Sequence, residues 1–406
     1  MHARLLTAIG GVGLLGVTLT GCVANTPTDG ASALTVTIAD DACDVSVDSA
    51  AAGAVTFSLS NEGSDVNEFE ILADDKLRIV GEKENIAPGQ TVDYVADLPA
   101  GTYYTACKFQ QVGAPVGLAE FTVSGESAAV SEDEQKLADE AVTNYIAYIR
   151  SQVGELIPAV QEFADAYAAG DDEKARSLFA STRVFYERIE PTAEAFGDLD
   201  PKIDFREVDA VADGLDWTGF HRIEKDLWPP ADGDLNSDGT DARLDWTPST
   251  SEQRQEFADG LVADVGQLHD LVTAKDFTVS LSDISNGAIA LLDEVASGKI
   301  SGEEDWWSGT DLTDFAANVQ GAEVAFGNVK EIATAQGDDG AALVEEIDER
   351  FASLDALLAT HGSIDDGFVS YDEVDDAGRK ALSDEVNALA EPLSQLTSVV
   401  LGVSAG

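Results

Sequence analysis

His221 and Glu224 are the pair of side chains in this 406-residue sequence whose types and spacing best suit metal chemistry. They form the pattern Gly-x-His-x-x-Glu, and on a helix two residues three positions apart share one face. An imidazole nitrogen beside a carboxylate suits Fe, Zn or Mn. Trp217, Phe220 and Trp228 flank the pair, which predicts a half-buried environment. The spacing alone also fits a buried histidine that is satisfied by hydrogen bonds.

A second set of candidate ligands lies in the first third of the chain and comprises Cys43, Cys107, Glu68 and Glu70, with Glu84 further along. Thiolates would suit copper, and carboxylates would suit a hard cation. Two alternatives compete with this interpretation. Cys43 and Cys107 would pair as a disulfide in an oxidising compartment. Glu68 and Glu70 would lie on a solvated strand face.

A third candidate site has the spacing of a calcium loop, D-x-N-x-D-G with an acid at position twelve. Its predicted ligands are Asp234, Asn236, Asp238, Thr240 and Asp245. Asp241 stands where the pattern usually has an apolar residue, and Asp replaces Glu at the last position. An acidic loop rich in turns is the competing interpretation.

The N-terminus indicates the compartment. Residues 1–21 contain Arg4 and no acid, followed by an apolar run that ends in Leu-Thr-Gly-Cys22. This order resembles a bacterial lipoprotein signal peptide, in which cleavage leaves Cys22 for lipid attachment. We therefore expect an extracytoplasmic protein that is lipid-anchored to the cell membrane, with residues 22–33 as a tether. The alternatives are an ordinary signal peptide or a short buried segment.

The charge of the chain excludes some partners. Asp and Glu number 77 against 23 Lys and Arg, which gives a net charge of -54. A nucleic-acid-binding protein needs a basic face, so we expect no nucleic-acid partner. The same charge attracts cations to the surface.

The hydrophobic pattern changes near residue 126. Apolar and polar residues alternate from residue 34 to residue 125, which predicts an antiparallel β-sandwich. From residue 126 to residue 406 the apolar residues recur at three and four positions, which predicts an all-α helical bundle. A capping box at Ser131 and Glu134 marks the predicted start of the first helix.

The first half resembles the cupredoxin family in three segments: residues 67–72, 84–91 and 101–107. A blue-copper site needs two His, a Cys and usually an axial Met. Residues 34–125 contain no His and no Met, so type-1 electron transfer is excluded for this domain.

The second half resembles the imelysin-like domain, also called insulin-cleaving-metallopeptidase-like. The resemblance rests on the Gly-x-His-x-x-Glu motif and on ordered segments at residues 186–191, 196–204, 284–288, 291–296, 300–305 and 310–315. A cupredoxin-like domain followed by an imelysin-like domain resembles the EfeO family of extracytoplasmic iron-uptake components.

This resemblance implies a protein that binds Fe²⁺ or Fe³⁺ and is not an enzyme. It also implies delivery of iron to an EfeU-type permease, alongside an EfeB-type haem peroxidase. The matching positions for a metal site are His221 and Glu224, with Glu187 or Glu190 as further ligands. Weaker candidates are Glu303, Glu304 and Asp305.

Three other functions compete with iron uptake. A metallopeptidase of the zincin type needs two His and a Glu base, whereas this motif has one His. A periplasmic copper-binding lipoprotein would use Cys43 and Cys107. An adhesion or scaffold lipoprotein would bind no metal.

Overall fold

A computed structural model describes residues 33–403 except residues 77, 112, 128, 245 and 298. The predicted signal peptide, Cys22 and Asp245 of the predicted calcium loop lie outside the described residues. The described residues all belong to one compact unit.

Strands fill the first part of the chain, where the period-two pattern predicts them. Val55, Phe57 and Leu59 are buried, and the residues between them face outward. The strands are β1 (Leu34–Ala39), β2 (Ala42–Val45), β3 (Ser49–Ala51), β4 (Gly53–Asn61), β5 (Asn67–Leu72), β6 (Ile79–Ile86), β7 (Thr91–Leu98), β8 (Gly101–Phe109) and β9 (Val116–Ser124).

These strands form two sheets in the described part of the chain, with the orders β2-β1-β4-β7 and β3-β9-β8-β5-β6. The prediction of an antiparallel sandwich is wrong for two pairs, because β1 pairs parallel with β4 and β3 pairs parallel with β9. The chain leaves the first sheet for β3 and then returns, so β4 runs in the same direction as β1. Phe57, Phe69 and Phe121 pack in the core of this part.

Cys43 and Cys107 form a disulfide between strands of the two sheets, with their Cα atoms 5.5 Å apart. Their sulfurs are bonded to each other, so neither is a thiolate that could hold copper. The alternative that made these cysteines metal ligands is therefore wrong for this structure.

The disulfide closes a loop of 64 residues in sequence separation. Loop-closure entropy predicts that a link of this length stabilises the fold by roughly 4 kcal/mol. We expect Cys43→Ala to lower the free energy of unfolding of the protein by about that amount. Chemical denaturation followed by circular dichroism, with and without reductant, measures the loss. Reductant should leave the variant unchanged, and an equal effect of reductant on both proteins would contradict this origin.

Helices and the loops between them make up most of the remaining described chain, with a two-stranded ladder, β10 (Gly362–Ser363) and β11 (Gly367–Phe368), which corrects the all-α prediction. The helices are α1 (Glu132–Ala168), α2 (Asp172–Glu187), α3 (Leu199–Asp204), α4 (Glu207–Asp213), α5 (Gly219–Leu227), α6 (Ser251–Thr273), α7 (Leu281–Ser297), α8 (Asp311–Ala335), α9 (Asp338–Leu358), α10 (Asp376–Leu393) and α11 (Leu396–Val400). Short 3-10 helices lie at Glu190–Phe196, Lys299–Ser301 and Tyr371–Glu373.

Helix α1 begins where the sequence predicts. The Ser131 side chain accepts from the backbone N–H of Glu134, and the Glu134 side chain accepts from the backbone N–H of Ser131. Tyr145, Ile149 and Leu156 follow at helical spacing and are buried. The helix contains Pro158 and continues to Ala168.

The β part packs directly on the helical part. The Ser282 hydroxyl accepts from the backbone N–H of Asp97, and the Asn286 amide donates to the backbone carbonyl of Val95. Asp213 accepts from the backbone N–H of Gly113. These contacts place the outer face of β5 and β6 opposite the helices. Among the described helices, none combines the length and apolar character that a membrane span requires.

Candidate metal centre

Helix α5 carries His221 and Glu224 on one buried face, as the spacing predicts. The helix begins at Gly219, whose φ is +81°. A Cβ at this position would lie 2.2 Å from the carbonyl oxygen of Ile203 in α3. Glycine therefore allows α5 to approach α3 closely, which brings His221 near Asp204 at the end of α3.

Both ring nitrogens of His221 face carboxylates. Nδ1 lies 3.0 Å from Oε2 of Glu224. On the other side, Nε2 lies 3.3 Å from Oε1 of Glu304 and 3.6 Å from Oδ1 of Asp204. Burial and the nearby Arg183 lower the pKa of His221, but the hydrogen bonds with Glu224 and Glu304 outweigh them and raise it to about 10. The imidazole is therefore positively charged at neutral pH when no metal is bound.

Glu224 is held by the turn that follows Asp305. Its Oε1 accepts from the backbone N–H groups of Trp307, at 3.1 Å, and Ser308, at 2.8 Å. The turn is closed by the N–H of Gly309, which donates to the carbonyl of Asp305 at 2.7 Å. Glu224 therefore has a fixed orientation before any ion binds.

Arg183 of α2 lies fully buried at the middle of the carboxylates. Its guanidinium pairs with Glu187 and Asp204, and with Asp314 at 2.7 Å. It also lies 3.4 Å from Glu304 and 3.6 Å from Asp305. Because arginine stays protonated, it provides a permanent positive charge inside this acidic centre.

Glu187 and Glu190, the further ligands that the family resemblance implies, lie beside a second buried cation. The Lys299 ammonium lies 3.2 Å from Oε2 of Glu187 and 2.8 Å from Oε2 of Glu190. Asn318 donates to both carboxylates. An ion at Glu187 or Glu190 would therefore have to compete with Lys299 and Asn318.

Asp305 has an unsatisfied oxygen that faces this centre. Its Oδ1 is buried and has no hydrogen-bond partner among the described residues, and it lies 3.9 Å from Nδ1 of His221. Burial raises the pKa of Asp305 well above its usual range, although Arg183 opposes the shift. Burial also raises the pKa of Asp311, whose carboxylate accepts from the N–H of Asp305, to about 7.

Two groups of possible ligands share His221. One is Asp204, His221 and Glu304, and the other is His221, Glu224 and Asp305, and within each group the ligand atoms lie within 4.8 Å of one another. The geometry and the donor types suit a cation such as Fe or Zn. Glu303, in contrast, pairs with Arg206 at 2.7 Å and belongs to neither group.

A cavity of about 610 Å³ opens between the two parts of the protein and reaches this centre. Asp204 and Glu304 line its helical wall. Glu68, Glu70 and Glu82 line the opposite wall on β5 and β6. A smaller cavity of about 20 Å³ lies beside His221 and Glu224, with room for about one water molecule.

Glu68 and Glu70 are buried, so the alternative of a solvated strand face is wrong. They lie on the outer face of β5, but the helical part covers that face. With Glu82 they form a group whose ligand atoms lie within 4.8 Å of one another. Burial, and then repulsion from Glu82, raises the pKa of both Glu68 and Glu70. Glu84 lines the same cavity.

The described part of the predicted calcium loop does not gather its acids around one point. Asp234 accepts from the N–H of Ala231, and Asp238 accepts from Thr240. The Lys225 ammonium lies 3.0 Å from Oδ1 of Asn236, where calcium would need to bind. No group of three acidic or histidine ligands among the described residues includes Asp234 or Asp238. This geometry fits the alternative of an acidic loop rich in turns.

The sequence did not single out four residues that the structure places in the centre: Arg183, Asp204, Asp314 and Lys299. Asp204 and Asp314 fall within segments that carry the imelysin resemblance, which was the available signal for both. Arg183 and Glu187 are four apart on α2, a spacing that also occurs in ordinary surface ion pairs.

Comparisons with known families also distinguish a β part and a helical part of the chain. The family described as imelysin matches residues 141–396, and the family described as a cupredoxin-like domain matches residues 11–117. The chain is 37% identical over 369 residues to proteins named iron uptake system component EfeO, with 90% of each chain covered. Three of these relatives come from Escherichia coli K12, Escherichia coli O157:H7 and Shigella flexneri.

This chain belongs to the EfeO family. The aligned share covers nearly all of both chains, so the resemblance includes the β part as well as the helices. Membership of the EfeO family therefore confirms the two-part organisation that the sequence predicts, a cupredoxin-like part followed by an imelysin part.

Proposed function

We propose that this chain is the extracytoplasmic iron-binding component of an EfeO-type uptake system, lipid-anchored to the membrane through Cys22. It captures iron outside the cytoplasm and delivers it to an EfeU-type permease, alongside an EfeB-type haem peroxidase. Iron is the cargo, and the chain itself catalyses no reaction. The names of its relatives support a role in iron uptake, and the buried centre around His221 supports the binding of iron.

The observation that carries the proposal is the placement of His221 between carboxylates from separate elements. Glu224 comes from the same helix, Asp204 from α3, and Glu304 from the loop before α8. Carboxylate oxygens with one imidazole nitrogen suit iron, and the cavity leaves a path for its release. The acids on both walls of this cavity raise the local concentration of cations.

The competing functions find less support. A zincin-type peptidase needs a second histidine, and among the described residues His269 and His361 belong to no group of metal ligands. A copper site with two thiolates would need Cys43 and Cys107 unpaired, whereas they form a disulfide.

Calorimetric titration of the full chain with Fe(III)-citrate, anaerobic Fe(II), Zn(II) and Cu(II) tests the proposal. We expect saturable iron binding and no cleavage of casein in the zinc-loaded protein. Casein cleavage would favour the peptidase. The absence of binding by all four metals would favour a scaffold and overturn the proposal.

The affinity for metal should rise with pH. His221 is protonated in the metal-free centre because its pKa is about 10, and it must lose that proton to bind an ion. Below this pKa, each unit of pH should therefore change the apparent affinity about tenfold for the one proton released. Zinc titrations at several pH values between 6 and 8 measure the slope. The remaining zinc binding of His221→Ala should show a shallower slope, and equal slopes would contradict this origin.

A further inference from the structure

The two sides of the His221 ring differ in the kind of donor that holds their carboxylates. On the Nδ1 side, Glu224 accepts from two backbone N–H groups with Oε1 and from the imidazole with Oε2. A carboxylate has about four lone-pair positions, so three of those of Glu224 are occupied by donors that the fold supplies.

On the Nε2 side, the carboxylates of Asp204 and Glu304 are held by the side chain of Arg183 and, among the described residues, not by backbone N–H groups. Asp204 and Glu304 reach Nε2 from two other elements, and both line the large cavity between the two parts of the protein. Neither His221 nor Glu224 lines that cavity. An ion that arrives through the cavity therefore meets Asp204 and Glu304, the carboxylates that face Nε2, before it can reach the imidazole or Glu224.

Histidines that bind metal through one ring nitrogen usually donate the other N–H to a carboxylate, which fixes the tautomer. Resting on the iron-binding function proposed above, we infer that the ion binds Nε2 of His221 together with Asp204 and Glu304. Glu224 is then a positioning residue that holds the proton on Nδ1. In this assignment, His221 of the Gly-x-His-x-x-Glu motif is the ligand, and Glu224 is the residue that orients it.

The substitution Glu224→Gln distinguishes the two roles. The new carboxamide oxygen can still accept from Trp307 and Ser308, but its NH₂ group then faces Nδ1 and donates to it. This arrangement favours the tautomer with the proton on Nε2, the nitrogen that the ion needs. We expect the affinity for zinc to fall roughly 10- to 100-fold, the range typical of an outer-shell partner.

Nitrogen-15 NMR of the full chain labelled at histidine shows which ring nitrogen carries a proton and which binds metal. Diamagnetic Zn(II) is the probe. The zinc-loaded protein should show one histidine with metal on Nε2 and a proton on Nδ1, and this pattern should disappear in His221→Ala. In Glu224→Gln without metal, at a pH high enough to make the His221 ring neutral, its remaining proton should lie on Nε2. Glu162→Gln is the matched control, because Glu162 is 58% exposed on α1 and pairs with Lys174 at 2.8 Å, and it should change neither measurement.

Zinc on Nδ1 of His221, or an unchanged zinc affinity in Glu224→Gln, would overturn the inference while leaving the proposed function in place. If neither zinc nor iron bound to the native chain at all, the proposed function would fail, and this inference with it.

Discussion

His221→Ala is expected to lower the affinity for Fe(II) and Zn(II) by at least about 100-fold. Loss of an outer-shell partner typically costs 10- to 100-fold, and loss of a direct ligand should cost more. His221 is also the one residue common to both groups of possible ligands around it. Calorimetry with a competing chelator measures the change.

His269→Ala is the matched control. The side chain of His269 is 41% exposed, and its imidazole contacts Asp270 on the same helix, so its removal should leave the affinity unchanged. Circular dichroism of His221→Ala must show a native helical spectrum for the comparison to hold. If a folded His221→Ala bound iron as tightly as the native chain, the centre described here would not be the iron site.

Part of this centre could be predicted because it is local in sequence. The spacing of His221 and Glu224 on one helix turn is enough to place them together. Whether Glu303 or Glu304 turns inward depends on the loop before α8 and on Arg206, which pairs with Glu303. Such tertiary contacts leave no periodic pattern in the sequence. Glu303 and Glu304 were therefore both predicted as candidate ligands.

The acids of β5 show a second limit of pattern reasoning. Alternation along a strand separates two faces, and polar residues usually mark the one that faces water. Glu68 and Glu70 lie on that polar face, as alternation predicts, but the helices cover it. Alternation along one strand carries no information about another layer of the protein that packs over its polar face.

The calcium-loop prediction relied on spacing without context. The D-x-N-x-D-G pattern specifies ligand positions only if the surrounding chain folds the loop around an ion. Here Lys225 of α5 reaches Asn236 and also pairs with Glu207. The sequence could not show that a lysine eleven residues earlier would place a positive charge at the loop.

Arg183→Met should lower the free energy of unfolding by roughly 3–5 kcal/mol, the range expected when one partner of a buried ion pair is removed. Methionine has a similar length but no charge, so the neighbouring carboxylates would lose their shared guanidinium. Chemical denaturation of the metal-free protein measures the loss. Arg243→Met is the control, since Arg243 is 43% exposed and pairs with an exposed Asp232, and it should cost about 1 kcal/mol or less.

The pH dependence of the loss of stability in Arg183→Met identifies its cause. Burial already raises the pKa of Asp305 and of Asp314 well above the usual range, and Arg183 opposes both shifts. Removing Arg183 should raise these pKa values further, so the folded variant would hold protons that the unfolded chain releases. Stability then falls as pH rises, and the deficit relative to the native chain should be larger at pH 8 than at pH 5. An equal deficit at both values would instead indicate lost packing around the methionine. A larger deficit at pH 8 would show that Arg183 lowers the pKa values of the carboxyl groups in the centre and so favours their ionised form, the form that binds a metal ion.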